Sequence, residues 1–245
     1  MRLTRCHVEL PLREGEDLVL PEDVAGHLLR VLRLREGDRC VLFNGDGCDY
    51  DAELLQVGKR GASARIGAAQ PAHNESPLAI TLLQGVARGE KMDLILQKAT
   101  ELGVAAIVPV WAERTEVKLD AARTDKRVAH WRSVVVAACE QSGRARVPSL
   151  AAPLALADAA AAAAAGGAQL KLTLDPQGEQ RLRTLEIAGN AATIAIGPEG
   201  GWSPRDRAAL HAAGFAGLRL GPRILRTETA GLAAIAALQA RCGDL

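Results

Sequence analysis

The chain has 245 residues, with 30 Lys and Arg against 29 Asp and Glu, so its formal net charge of +1 gives no bulk attraction to nucleic acid or to a membrane surface. With 48% hydrophobic and 24% charged residues it lies outside the compositional regime of disorder, and its length suits one large domain or two modest ones. Three Trp, one Tyr and two Phe are too few for the stacking platforms that hold splayed bases, so any RNA contact has to work by other chemistry.

From the N-terminus to about residue 69 the pattern is short and β-like, with turn signals at Glu14-Gly15, Glu36-Gly37-Asp38 and Asn44-Gly45-Asp46-Gly47 between the apolar runs CVLF and CDYDAELL. One helix interrupts it, because Val24, Leu28, Val31 and Leu32 recur at helical spacing after Pro21-Glu22-Asp23; it should end before Gly37. This predicts a small β-barrel-like domain over 1–72, closed by a polar, proline-bearing linker at 70–77. Over 73–245 strands alternate with helices: LAITLLQGV, a helix at 90–102, AAIVPV, a long helix at 121–141, an Ala-rich helix at 153–165, then QLKLTL, ATIAI and GLRL. That rhythm predicts an α/β domain with a largely parallel sheet.

Charge does not separate the halves: residues 1–72 hold 10 basic and 12 acidic side chains, and the remainder 20 and 17. Only local clusters remain, at Arg123/Lys126/Arg127/Arg132, Arg144/Arg146 and Arg219/Arg223/Arg226, and the last reads as functional because it sits between a strand and a helix. Cys6, Cys40, Cys48, Cys139 and Cys242 include no C-x-x-C pair, and the five His stand at no metal or triad spacing. No disulfide framework and no metal are therefore expected, and a reducing cytoplasmic location is. The N-terminus has no continuous apolar run, and the apolar stretch 150–168 is mostly Ala, broken by Pro153 and Asp158, so neither a signal peptide nor a membrane span is expected.

Two strands run into glycine loops. ATIAI leads to Gly197-Pro198-Glu199-Gly200-Gly201-Trp202, then Ser203 as N-cap, Pro204 at N1 and Asp206 at N3 of a helix. GLRL leads to Gly221-Pro222-Arg223-Ile224-Leu225-Arg226, then Thr227 as N-cap with Glu228 in the first turn. With Leu174-Asp175-Pro176 after a third strand, these loops would wall one crevice at the carboxyl edge of a sheet, where glycines admit a ligand close to the backbone. Neither loop has the pattern of a P-loop or of a dinucleotide fingerprint, and G-x-S-x-G is absent. The residues alone give a two-domain α/β protein with a backbone-lined small-ligand crevice.

Four ordered segments, RGEKMDLILQKATELGV at 88–104, ACEQSGRARVP at 138–148, IGPEGGWS at 196–203 and LGPRILRTETA at 220–230, together with HLLRVLR at 27–33, resemble the RsmE family of ribosomal RNA small-subunit methyltransferases. The resemblance spans nearly the whole chain, with Asp206 where the family usually carries Glu. It implies a PUA-like barrel at 1–72 followed by a SPOUT methyltransferase domain with a C-terminal trefoil knot at 73–245. It also implies S-adenosylmethionine as cofactor, a homodimer, and methylation of uridine N3 in 16S ribosomal RNA.

By the same resemblance Leu174, Ile196, Gly197, Glu199, Gly201, Leu220, Gly221, Ile224, Leu225 and Arg226 line the cofactor crevice. Arg226 would stabilise the uridine anion and Glu228 would accept its proton or orient Arg226, since a guanidinium cannot itself be the base. His27, Arg33 and Arg144 are the expected RNA contacts, Arg144 alternatively a contact to the partner subunit. Low net charge and scarce aromatics lead us to expect action on the assembled or nearly assembled small subunit rather than on free RNA.

Overall fold

The computed structural model describes residues 3–58, 61–117, 121–168 and 170–245. They form two compact units: one holds the chain up to Glu75 together with Val136–Val147, the other Ser76–Val135 and Pro148–Leu245.

In the first unit β1 (Arg5–His7), β2 (Asp17–Val19), β3 (Arg39–Phe43), β4 (Cys48–Gly58) and β5 (Gly61–Pro71) make a five-stranded sheet in the order β1-β3-β4-β5-β2. All neighbours are antiparallel except β1 and β3. Alternation decides which face is inside: Tyr50, Ala52 and Leu54 of β4 and Ala62, Ala64 and Ile66 of β5 are buried, while their neighbours in sequence are not. Because β5 continues through Gln70 and Pro71, the linker is shorter than the expected 70–77.

The predicted helix is present as α1 (Glu22–Gly26) but widens into a π-turn over His27–Val31, where the Leu32 N–H reaches back to the His27 carbonyl. The extra residue per turn breaks the expected apolar stripe. Leu28 is fully buried, whereas Val31 is 66% exposed, and Arg33 leaves the turn with φ of 59°.

The ACEQSGRARVP segment is scaffold within this unit. The Arg5 guanidinium, itself buried, binds Asp49 (2.5 Å), donates to the carbonyls of Cys139 (2.8 Å) and Arg144 (3.3 Å), and lies 4.6 Å over the Phe43 ring. Glu140 accepts from the His7 N–H at 2.9 Å, and Arg144 pairs with Glu75 at 2.5 Å.

The second unit is built on parallel strands: β6 (Ala79–Gly85), β7 (Val104–Trp111), β8 (Ser149–Leu150), β9 (Leu154–Ala155), β10 (Leu170–Leu174), β11 (Gln180–Arg181), β12 (Ala191–Ile196) and β13 (Ala216–Arg219). Their order is β11-β13-β10-β12-β6-β7-β8, with β9 also on β7, and every pairing is parallel. The helices are α2 (Glu90–Glu101), α3 (Ala121–Ser142), whose residues from Val136 on belong to the first unit, α4 (Leu156–Ala165), α5 (Pro204–Ala212) and α6 (Thr227–Cys242). The Ala-rich helix thus starts at Leu156 rather than 153, since Pro153 leads into the short strand β9. Gln169, expected to open QLKLTL, lies outside the described residues. No helix among the described residues is long and apolar enough to cross a membrane.

Buried Ile80, Leu82, Leu172, Ile194 and Leu218 line one face of the sheet and buried Leu83, Val110 and Ala195 the other, so its strands are apolar on both faces, as a helix-covered parallel sheet requires. On α6, Gly231 brings the helix close to Ile196: a Cβ there would sit 3.4 Å from its Cγ1.

Candidate active site

β13, β10 and β12 are consecutive and parallel in the sheet, so the loops leaving their carboxyl ends converge on one side. Those loops are the three that the sequence singles out. They enclose a cavity of about 520 Å³, within the usual size of a small-molecule site.

The 197–202 loop is held from four directions. Trp202 is buried and its indole N–H donates to the Thr173 hydroxyl at 2.8 Å, anchoring the loop to β10. Ser203 accepts from the Asp206 N–H and Asp206 accepts from the Ser203 N–H, so the expected N-cap Ser and N3 acid close a capping box. A Cβ on Gly85 would stand 2.5 Å from the Pro198 nitrogen, so the last residue of β6 has to be glycine for the loop to settle on it. On the outer side a Cβ on Gly200 would lie 2.9 Å from the Arg114 Cβ.

The expected role of Thr227 is corrected. Arg226 is the N-cap position of α6 and makes no side-chain cap, while Thr227 stands inside the helix. Its hydroxyl is drawn away, donating to the Gly197 carbonyl at 2.6 Å and accepting from the Gln84 amide at 3.2 Å. It therefore ties the second glycine loop to the first. Gly221 has φ of 148° and Gly201 φ of 65°, both in the region that favours glycine; the Gly201 N–H closes a turn on the Pro198 carbonyl at 2.8 Å.

Every residue expected in the crevice lines this cavity. Gly197, Gly201 and Gly221 contribute backbone, and Leu174, Leu220 and Leu225 are half-buried wall residues rather than core. Ile196 forms the floor at 1% exposure, whereas Ile224 stands at the lip at 83%. Glu199 borders the cavity but its carboxylate is engaged, accepting from the Arg88 N–H at 3.1 Å and from the Lys91 ammonium at 3.5 Å. Burial raises the Glu199 carboxyl, but the Arg88 N–H, its own N–H and Lys91 outweigh that and hold it below the usual carboxylate range.

Arg226 is exposed on the cavity wall. Beside it in sequence, Glu228 also lines the cavity, and its Oε2 is buried with no hydrogen-bond partner among the described residues. A buried carboxylate oxygen left without a donor is costly, and such an atom at a cavity wall is an acceptor waiting for a ligand donor.

The other expected site residues are elsewhere. His27 opens the π-turn of the first unit and Arg33 follows it, and both are exposed. Arg144 is 4% exposed and holds Glu75, a structural position rather than a surface one. Sequence reasoning missed Lys91, Arg114 and Arg207, which also line the cavity; Arg207 forms an ion pair there with Asp175 of the third strand end. Arg114 had no signal in the sequence, since its place depends on where the β7 loop packs. Among the described residues no group of three or more His, Cys, Asp or Glu is arranged to hold a metal ion.

The family model described as the RNA methyltransferase domain matches residues 74–239, and that described as the RNA methyltransferase PUA domain matches 20–67. Ribosomal RNA small subunit methyltransferase E of Bacillus subtilis is 31% identical, over 97% of this chain and 94% of its own. The same-named protein of Mycobacterium tuberculosis is 35% identical, over 91% and 86%. Among solved structures, ribosomal RNA small subunit methyltransferase E from Neisseria gonorrhoeae, bound to S-adenosyl methionine, superposes with a TM-score of 0.91 at 39% identity, all of both chains covered. A Legionella pneumophila protein solved with bound SAM gives 0.95 at 37%, again over both whole chains. The expected fold, an α/β methyltransferase domain behind a PUA-like domain, agrees with the parallel sheet and with both family models. Carried by similarity along its full length, the chain belongs to the ribosomal RNA small subunit methyltransferase E family.

Proposed function

We propose that this chain transfers the methyl group of S-adenosylmethionine to N3 of a uridine in 16S ribosomal RNA. The observation that carries the reading is the cavity at the ends of β10, β12 and β13, where a buried and unpartnered Glu228 Oε2 lies on the same wall as Arg226. The cavity fits the cofactor: half-buried Leu174, Leu220 and Leu225 offer an apolar wall for a flat heterocycle, and the glycine backbone allows close approach to ribose and amino-acid polar groups.

When bound, the cofactor supplies an electrophilic methyl on a sulfonium, which becomes a neutral thioether on transfer. The chain's own work is to position and deprotonate. Uridine N3 carries an imide proton that has to leave as the N–CH3 bond forms; Glu228 Oε2 receives it. The anion spreads over the two flanking carbonyl oxygens, and the Arg226 guanidinium stabilises that charge while remaining protonated throughout. Thr227 holds the two loops in register, so that both ends of the reaction stay fixed.

Several finer points belong to the same proposal. Residues 1–72 act as a PUA-like RNA-binding domain with His27 and Arg33 as its docking side chains, and residues 73–245 as the methyltransferase domain. Their exposure at and just after the π-turn favours a docking role for His27 and Arg33; the buried Arg144 is not carried forward as an RNA contact. A C-terminal trefoil knot belongs to the same proposal and rests on the family resemblance alone. A homodimer acting in the cytoplasm without metal completes the reading, and the exposed Ile224 is the kind of apolar side chain a second subunit would cover. The substrate is the assembled or nearly assembled 30S subunit. Initial methylation rates on purified small subunits and on protein-free ribosomal RNA, at equal target concentration, test this: the subunit should react faster, and equal or reversed rates would overturn the substrate assignment.

A further inference from the structure

The charges around the cavity do not match the cofactor alone. Its wall carries six cations, Lys91, Arg114, Arg207, Arg219, Arg223 and Arg226, against three acids, Asp175, Glu199 and Glu228. Arg207 is taken by Asp175 and Lys91 by Glu199. Arg114, Arg219, Arg223 and Arg226 form no ion pair among the described residues and are all exposed, leaving Glu228 as the sole acid to offset them. S-adenosylmethionine bears a sulfonium and an ammonium against one carboxylate, so it is itself cationic and gains nothing from this excess. A chain whose overall charge is +1 has concentrated positive charge where a cationic cofactor would enter. That arrangement needs an anionic occupant.

Resting on the reading of the site as an RNA methyltransferase, we propose that Arg114, Arg219 and Arg223 grip the RNA phosphodiesters flanking the target uridine. Arg226 stays with the base itself. The three arginines come from two separate stretches, the loop after β7 and the run from the end of β13 into the loop before α6, and line one cavity. Arg114 is already braced: it donates to the Gly200 carbonyl at 3.3 Å and lies against Gly200 where any side chain would collide with it. A guanidinium has five N–H donors, so one bond to the loop leaves the others for phosphate oxygens. Positioned phosphates carry no sequence information but fix the register in which one nucleotide enters the cavity.

The test replaces each arginine by Gln in the full chain and measures cofactor affinity by calorimetry, steady-state methylation of small subunits, and the salt dependence of binding to them. Each change should raise the substrate KM about tenfold and flatten the slope of log affinity against log salt by about 0.7–0.9. Cofactor affinity and kcat should stay within about twofold, and Lys in place of Gln should restore most of the salt slope, because charge is what a phosphate reads. Unchanged KM and salt slope in all three variants would overturn the phosphate grip while leaving the methyltransferase reading intact. Loss of cofactor binding in the variants would assign the arginines to the cofactor instead, and would overturn it equally. If the unaltered chain fails to bind S-adenosylmethionine, the underlying reading falls first.

Discussion

Arg144 and Arg226 both stand in short basic clusters that look alike in the sequence, yet the structure gives them opposite company. Arg144 is 4% exposed, pairs with Glu75, and has its own carbonyl taken by the equally buried Arg5. Arg226, with Arg219 and Arg223, stands exposed on the wall of a cavity. The difference lies in acceptors rather than in cations. Arg5 donates to the Cys139 carbonyl in the last turn of α3, which also accepts from the Gly143 N–H, and to the Arg144 carbonyl just beyond the helix. Among the described residues the guanidinium groups of Arg219, Arg223 and Arg226 have no hydrogen-bond or ion-pair partner, so they stay available for something that arrives from outside.

The largest effect that should separate the two kinds is on stability. Arg5→Ala removes the buried partner of Asp49 and a donor to the Cys139 and Arg144 carbonyls, and should cost about 3–5 kcal/mol in urea unfolding. Arg223→Ala should stay within about 0.5 kcal/mol of the parent. Similar costs for both would erase the distinction between scaffold and site arginines.

The reverse ranking should hold for catalysis. Arg226→Ala should lower kcat about 10²–10³-fold, the range for removing one group that stabilises developing charge, with melting temperature and cofactor affinity nearly unchanged. Lys at that position should rescue only partly, because the planar fork is lost. Near-normal turnover in Arg226→Ala would move the electrostatic role to another residue of the rim.

The two glycine loops sharpen the comparison at the level of backbone. A Cβ at Gly201 or Gly221 meets nothing within 4 Å, so neither is required for space; what the positions demand is conformation. At φ of 148° Gly221 lies where other residues essentially never go, and Gly221→Val should weaken cofactor binding by about 1–3 kcal/mol through distortion of the loop. Gly201 at 65° lies in the left-handed helical region, so Gly201→Ala should cost less, about 1 kcal/mol. Calorimetry with equal losses in both would mean that steric filling, not backbone strain, governs the site.

The smallest effect is chemical protection. Burial pushes the Cys139 thiol up to about 11, with Glu75 and Glu140 adding to the shift and Arg144 and Arg5 opposing it. At pH 8 its thiolate fraction is then on the order of a thousandth. Alkylation followed by mass spectrometry should therefore modify the exposed Cys242 well before Cys139. In Arg5→Ala the Cys139 lag should shorten as the α3 end loosens, and an unchanged lag would say that Arg5 does not hold that helix end.

Much of this was legible in the sequence because it is periodic or local. Strand and helix alternation beyond Ser76 follows from apolar runs broken by glycine, and Ser203-Pro204-Arg205-Asp206 announces its own capping box. The crevice was legible because strand ends carrying glycine loops can only converge if the strands are parallel neighbours. What was not legible depends on long-range partners. Thr227 looks like a cap until the Gly197 carbonyl, 30 residues away, is seen to claim its hydroxyl. The π-turn at His27–Val31 leaves no compositional mark, and it is what turns Val31 outward. Gly85 looks like one residue of an apolar strand, and only the seat of Pro198 upon it explains why it has no side chain.

The central claim is that the cavity bordered by Arg226 and Glu228 methylates N3 of a ribosomal uridine. Its most direct test incubates small ribosomal subunits lacking the modification with the protein and methyl-labelled S-adenosylmethionine, then digests the RNA to nucleosides for mass spectrometry. The account predicts label in 3-methyluridine from 16S RNA, and its near absence when Glu228→Gln or Arg226→Ala replaces the parent chain. Label in a ribose-methylated or carbon-methylated nucleoside, or undiminished 3-methyluridine from both variants, would contradict it.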